Sequence, residues 1–325
     1  MKKFSLIVSA VANYYAILVV ENFNKNRMQE NMSAIHPDWL IPSDRFGWLA
    51  IFRNVVPLFL LLWFSPYIAD WSPMAPLLIM PLIGLLIYRI TLIMHDCVHY
   101  TLFKSRHLNK KVGLILGAVA GIDFQEFAHQ HWIHHRTFGT SDDPQGFHYY
   151  NLGAMTPSKM RIHIIKPLLG FNLRDTFHES IGAPHNLFRL VRTGKIFIIA
   201  AVQILILLIV TGFGRHFILA FLPFVSAITF GLFFSQLRGI AEHGLVDVAQ
   251  QSGHVRSHAV SWLDQILLHD VNFNFHREHH LFPQCPSVHL PVVHQALSTD
   301  DAPRLAASMF GTLHSIYSEL GVKHE

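Results

Sequence analysis

Three short histidine clusters constrain this chain more than any other feature of it: His95-Asp-Cys-Val-His99, His131-Trp-Ile-His134-His135 and His276-Arg-Glu-His279-His280. Residues three and four apart share one face of a helix, so the first cluster presents two imidazoles on one stripe and each of the others presents three. A fold that satisfies all three must bring three helical faces to one place. A lone histidine on an apolar face is usually a satisfied core residue. That plain reading covers the scattered ones, His36, His148, His163, His258, His269 and His294 among them, and leaves His107 and His129 as surface or supporting residues. It does not cover three clusters in matching helical phase.

The segments between the clusters say where that place is. Half of the residues are hydrophobic (51%) and only 14% are charged, with a mean hydropathy of +0.32, so membrane spans are sought first. Two apolar hairpins emerge. One pairs a span over about 55–69 with another over 75–94. The second pairs 196–211 with 217–234 around Gly212-Phe213-Gly214, and Trp48, Trp63, Tyr67 and Trp71 flank the first as interfacial aromatics. Only 31 residues separate His99 from His131. Two crossings would need roughly 40 apolar ones, so Val112 to Phe124 is expected to be re-entrant or interfacial. All three clusters then share a side. Lys104, Arg106, Lys110, Lys111, Arg136, Lys159 and Arg161 fall on that side too, which makes it cytoplasmic by the positive-inside tendency. Arg53 and Arg89 read as anchors that snorkel from span ends.

The expected fold class is all-α: an integral membrane protein of four transmembrane helices in two hairpins, with a cytoplasmic helical cap carrying the site. The expected divisions are an N-terminal segment 1–46, with an interfacial or marginal helix over 4–20, and a first hairpin 55–94. A cytoplasmic region 95–195 with broken amphipathic helices follows, then a second hairpin 196–236 and a cap 237–325. In the tail, Leu305, Met309, Phe310, Leu313, Ile316, Tyr317 and Leu320 mark one helical face, with Asp300 or Asp301 as cap and Pro303 in its first turn. Cys97 and Cys285 form no CxxC and read as reduced thiols. A formal charge of +4 spread over loops does not suit nucleic acid.

Imidazole suits zinc, copper, iron and nickel alike. Eight histidines exceed one four-coordinate zinc site and fit two metals of higher coordination number. Redox-active iron is the natural choice for a membrane enzyme that activates oxygen. No Ser–His–Asp arrangement and no phosphate-binding glycine loop offers a rival chemistry. Histidines at or beyond span ends, rather than inside them, argue against a metal transporter or a bis-histidine haem protein.

The run Asn274-Phe275-His276-Arg277-Glu278-His279-His280-Leu281-Phe282-Pro283 resembles the third histidine box of the membrane fatty-acid desaturases and of the related hydroxylases and carotenoid ketolases. The other two clusters match that family's HxxxH and HxxHH boxes, and Asp142-Asp143-Pro144 is similar to its sequence after the second box. The resemblance covers roughly 45–295 and points to the bacterial-type branch. It implies four spans under a cytoplasmic cap and a non-haem centre of two irons using O2 as co-substrate. It also implies an acyl or lipid substrate and electrons from a separate donor, a ferredoxin or small cytochrome with its reductase, in a bacterial inner membrane. His243, directly after the fourth span, resembles the family's extra histidine and becomes a ninth candidate ligand beside His95, His99, His131, His134, His135, His276, His279 and His280. Asp96, Asp143, Glu242, Asp270, Asn272, Asn274 and Glu278 are candidates to hold those imidazoles through hydrogen bonds. A hydroxylase or ketolase on the same iron pair is the alternative.

Overall fold

The structure, a computed structural model, describes residues 35–174, 191, 194–245, 255–297 and 305–322. The helix expected over 4–20, part of the broken amphipathic region before 195, and Asp300, Asp301 and Pro303 lie outside them. Among the described residues the secondary structure is helical, with one isolated parallel bridge between His258 and Ala306.

Helix α1 (Asp44–Trp71) starts where Ser43 caps it, its Oγ accepting from Phe46 N at 3.4 Å. It runs through Arg53 and Asn54 ahead of the expected span 55–69, and both polar residues find partners inside the fold. Pro66 has no N–H for the carbonyl of Leu62, and Ser65 Oγ donates to that carbonyl at 2.8 Å instead. Helix α2 (Met80–Val98) is central. Its residues Ile83 to Tyr88 are all buried, and so are Leu92 to Val98. A side chain at Gly84 would place Cβ 2.5 Å from Phe230 Cβ and from the Ser226 carbonyl, so glycine lets another helix backbone press against α2 there. That neighbour is the stretch Phe217–His243, which is 3-10 helix at first and then α7 (Leu222–Ser226). A π-helical segment, Ala227–Gly231, leads on into α8 (Leu232–His243).

Helices α3 (Arg106–Ala120) and α4 (Phe124–Thr137) form a hairpin closed by Gly121 in the left-handed region (φ 74°) and by Asp123 as the cap of α4. The expected re-entrant stretch over 112–124 therefore divides into the end of α3, a turn and the first residue of α4. Helix α5 (Pro157–Ile165) runs on with a 3-10 turn, and Ile162, Ile165, Leu169 and Phe171 stay exposed. Helix α6 (Lys195–Val210) is apolar and 16 residues long. In it Gln203 donates to the carbonyls of Ala118 and Val119 at 2.7 and 3.2 Å, which satisfies the C-terminal turn of α3.

Three helical stretches, Pro37–Trp71, Ala75–Val98 and Phe217–His243, are long and apolar enough to cross a bilayer. Helix α6, at about 1.5 Å per residue, extends about 24 Å and is shorter than these. Both hairpins are tied at both ends. Lys104 N donates to Asp44 Oδ1 at 2.9 Å, and Lys195 Nζ reaches Gln125 on α4, on the histidine-bearing side. At the other end Asp70 holds Arg215 and His216, each at 2.8 Å.

The remaining elements pack over the histidine side: α9 (Trp262–Leu267), α10 (His276–Leu281), α11 (Leu290–Leu297) and α12 (Met309–Val322). Helix α12 starts at Met309 behind Ser308, whose Oγ accepts from Gly311 N at 3.1 Å. The cap therefore sits later than the expected Asp300 or Asp301, and Leu305 is part of the extended segment that meets His258.

Arg53 and Arg89 do more than snorkel. Their guanidinium groups lie 3.0 and 3.1 Å from the two oxygens of Asp270, and Asn54 Nδ2 donates to the same carboxylate. Asp270 is buried, so this contact locks the cap onto the first hairpin. Asp270→Ala removes the carboxylate that Arg53, Arg89 and Asn54 share, leaving the Ala50 carbonyl to Asn54 and the Ile266 carbonyl to Arg89. Because Arg53 remains half exposed, the expected loss lies near the lower end for a broken buried pair, about 3 kcal/mol. Unfolding of the detergent-solubilised variant measures it, and a change under about 0.5 kcal/mol, the scale of an ordinary surface substitution, would contradict the role.

Candidate metal centre

Each cluster sits where a helix brings it. The last turn of α2 carries His95, His99 is its C-cap, and Tyr100 in the left-handed region (φ 59°) follows. Helix α4 carries His131, His134 and His135, α8 ends on His243, and α10 carries His276, His279 and His280. These nine side chains sort into two groups. His95, His99, His131, His135 and His279 form one, and His134, His243, His276 and His280 the other. Within each group the candidate ligand atoms all lie within 4.8 Å of one another. Adjacent helical residues point about 100° apart, which is how α4 sends His134 to one group and His135 to the other.

The contacts inside each group are nitrogen to nitrogen. His99 and His135 each bring Nε2 to 2.9 Å from His131 Nε2, and His279 Nε2 is 3.1 Å from His135 Nε2. In the second group His243 and His280 lie 3.1 and 3.2 Å from His276 Nε2. Two nitrogens about 2.1 Å from one ion are about 3.0 Å apart at a right angle and about 3.4 Å apart at a tetrahedral angle. The observed spacings of 2.9–3.2 Å fall near those of nitrogens that share one ion. His95 carries the same message, with both ring nitrogens buried and neither hydrogen-bonded. Burial in the protein costs such a group unless something is bound to it. The donor set therefore fits two metal ions.

Burial, joined by the neighbouring imidazoles, holds His131, His276, His279 and His280 well below the ordinary histidine range, and burial brings His99 down to about 3. Neutral imidazole is the form a metal requires.

Among the candidate supporting residues, Asp143 stands directly behind a cluster imidazole. Its oxygens accept from His134 Nδ1 at 2.9 and 3.0 Å, from Gln145 N at 2.8 Å and from the Tyr149 hydroxyl. Burial alone would raise this carboxyl, but His134, Tyr149 and Gln145 outweigh it and bring it below its usual range. With its Nδ1–H given to Asp143, His134 keeps Nε2 free as a ligand. Glu242 places Oε2 3.2 Å from His276 Nε2 while Oε1 accepts from Arg238 Nε at 2.7 Å. Asp96 Oδ1 is 3.6 Å from His95 Nδ1, and its Oδ2 accepts from Ser287 Oγ at 2.5 Å.

The other four have different partners. Glu278 takes His294 Nδ1 at 2.8 Å and the Ser257 hydroxyl, which ties α10 to α11. Asn272 donates to the Ser287 carbonyl and Asn274 to the His258 carbonyl, both at 3.1 Å, and Asp270 holds the arginines. Sequence reasoning missed Tyr149, which also stacks on His243 at 5.0 Å, and Phe273, whose ring meets His95 edge-on at 4.6 Å. It missed Arg238 as well, whose Nη2 lies 3.2 Å from His276 Nδ1. None of the three has a local signal: Tyr149 is indistinguishable from Tyr150 in the sequence.

Two buried histidines outside the clusters set an acid limit. Burial brings His258 down to about 4 and His269 to about 3. The unfolded chain protonates both near the ordinary ~6.5, whereas the native protein does so only at the lower values. Their stabilising effect is therefore complete above about pH 6.5 and is lost as the pH falls toward 4 and then 3. The slope reaches about 1.4 kcal/mol per pH unit for each histidine. The thermal midpoint should drop steadily between pH 7 and pH 5, and a flat midpoint would contradict this.

A family model described as fatty acid desaturase matches residues 69–312. A Bacillus subtilis (strain 168) protein named fatty acid desaturase is 28% identical over 102 residues, covering 31% of this chain and 29% of the relative. The match thus spans less than a third of that relative's length. No solved structure matches the chain.

Proposed function

This chain belongs to the fatty acid desaturase family, and we propose that it catalyses oxygen-dependent desaturation of an acyl chain, borne by a thioester or a lipid, at a pair of irons. The observation that carries this reading is the sorting of nine histidines into two groups with nitrogens 2.9–3.2 Å apart. The ligands proposed are His95, His99, His131, His135 and His279 for one ion and His134, His243, His276 and His280 for the other. When bound, the iron pair supplies the activation of O2 that removal of two hydrogens from unactivated carbons requires.

The residues of the chain hold, orient and dry the site. Asp143 and Tyr149 fix the His134 ring. Phe273 and Phe138 close on His95 and on His280, with ring centroids 4.6 and 4.8 Å apart. Arg238 lies over the Phe273 ring at 4.8 Å and shields the His276 edge.

The same reading takes α6 as a fourth, short crossing that pairs with Phe217–His243 and makes the whole chain one membrane domain. The elements from α9 to α12 form a cap on the cytoplasmic side. Support comes from the basic residues on the histidine side and from the two tied ends of the hairpins. Electrons come from a separate protein, and the basic face suits an acidic ferredoxin or a small cytochrome.

Expression in a host with a matched reductase, followed by mass spectrometry of lipids and acyl thioesters, tests the reaction. A new alkene is the expected product. An alcohol or ketone would transfer the chain to hydroxylase or ketolase chemistry.

A further inference from the structure

Trp132 lies inside the second histidine cluster, yet its side chain faces outward and is 39% exposed. Helix α4 explains why. Gln125, His129, Trp132 and Arg136 recur at intervals of three and four, share one face of that helix and are all exposed. The inner part of the indole stays seated on the site. Its ring lies 4.8 Å from that of His99 and 5.7 Å from that of His135, both members of the five-histidine group. Phe127 and Phe138 also meet cluster rings, but both are only partly exposed. Trp132 thus joins the protein surface to that group through one side chain.

A single exposed tryptophan is ordinary and by itself calls for no partner. Two observations separate this one. Its neighbours on the face are a glutamine, a histidine and an arginine, so hydrocarbon is not what covers it. The surroundings are also basic. Arg136 stands one turn along the same face, and Arg106 and Lys110 lie over the ring of Tyr100, the residue after His99, 5.4 and 5.8 Å from its centre. An aromatic anchor ringed by cations suits a protein partner of opposite charge.

We propose that the surface around Trp132 docks the electron donor, an acidic ferredoxin, and that Trp132 is the contact across which its electrons pass to the five-histidine group. The inference rests on the iron-pair reading above. Each reduced ferredoxin gives up one electron as its own cluster is oxidised, so two encounters take the two irons from ferric to ferrous. No bond forms or breaks, and Trp132 itself is left unchanged.

The oxidised, iron-loaded protein mixed with a reduced plant-type [2Fe–2S] ferredoxin tests it. Loss of the ferric absorbance gives the rate, and dithionite serves as a small reductant that needs no docking surface. Trp132→Leu keeps an apolar side chain. This variant should hold two irons and react with dithionite at the wild-type rate. Its reduction by limiting ferredoxin should slow about tenfold or more, as expected for the loss of a central interface tryptophan. The dissociation constant for oxidised ferredoxin, read by calorimetric titration, should rise by a similar factor. Arg136→Glu leaves the indole in place and should slow the ferredoxin reaction about tenfold at low salt while flattening its salt dependence. Equal ferredoxin rates in the wild type and both variants would overturn the proposal. So would a Trp132→Leu protein slowed equally with both reductants, the signature of a disturbed site. If Trp132→Leu fails to fold or to hold iron, Arg136→Glu decides, and an unchanged rate there sinks the docking surface. A wild type reduced by dithionite but not by ferredoxin would overturn the docking surface and leave the iron pair standing. A wild type that holds no iron pair would overturn both.

Discussion

Replacing His279 by alanine abolishes the desaturated product and leaves the purified chain with fewer than two metals. His279 meets several members of the five-histidine group. Its Nε2 is 3.1 Å from His135 Nε2, and its ring lies 4.5 Å from that of His95 and 4.8 Å from that of His99. It is also the member contributed by α10, so without it the cap offers that group no donor. The substitution removes an imidazole whose Nδ1 has no role in the core hydrogen bonding, so the fold survives while the metal is lost. Metal analysis and product mass spectrometry on the same preparation, with thermal unfolding as the control for folding, make the measurement. Product that persists at wild-type level with His279 gone would refute the assignment.

Asp143→Asn weakens metal binding about 10–100-fold, the usual consequence of losing a carboxylate behind a metal-bound imidazole. The substitution is nearly isosteric, and the remaining carbonyl oxygen can still accept from His134 Nδ1 or from Gln145 N. The charge is lost, however, and with it the basicity that Asp143 lends to the His134 ring. The amide also meets the Tyr149 hydroxyl with a donor or a weaker acceptor in place of a carboxylate oxygen. Metal titration of the apo-protein reads the effect, and an unchanged affinity would mean that Asp143 serves only as the turn cap before Pro144. Its side-chain role there, Oδ1 accepting from Gln145 N, is compatible with both outcomes.

The histidines were legible because a helix converts spacing into direction, and the i, i+3, i+4 pattern survives any tertiary arrangement. Their division between two groups was not legible. It depends on how α2, α4, α8 and α10 are turned toward one another, and nothing local records that His134 and His135 part company. The same limit applies to Asp270. Its partners Arg53 and Arg89 are 217 and 181 positions away, so each of the three looked like an isolated charge. That α1 runs helical from Asp44 through Arg53 and Asn54, ahead of the apolar stretch 55–69, was hidden for the same reason. The apolar composition was enough to find three helical stretches long and apolar enough to cross a bilayer. The expected stretch 196–211 and the observed α6 have the same length, 16 residues, offset by one position. Tyr149 lies in a loop without periodicity, and only the folded chain shows that it faces the site.

The central claim is that two inequivalent metal positions exist side by side, one ringed by five imidazoles and the other by four. Mössbauer spectroscopy of the purified chain loaded with ⁵⁷Fe, alongside metal analysis, tests it most directly. Two irons per chain, in two distinct nitrogen-rich environments of equal population, is the predicted result. A single iron environment at one atom per chain, or zinc at full occupancy in place of iron, would contradict it.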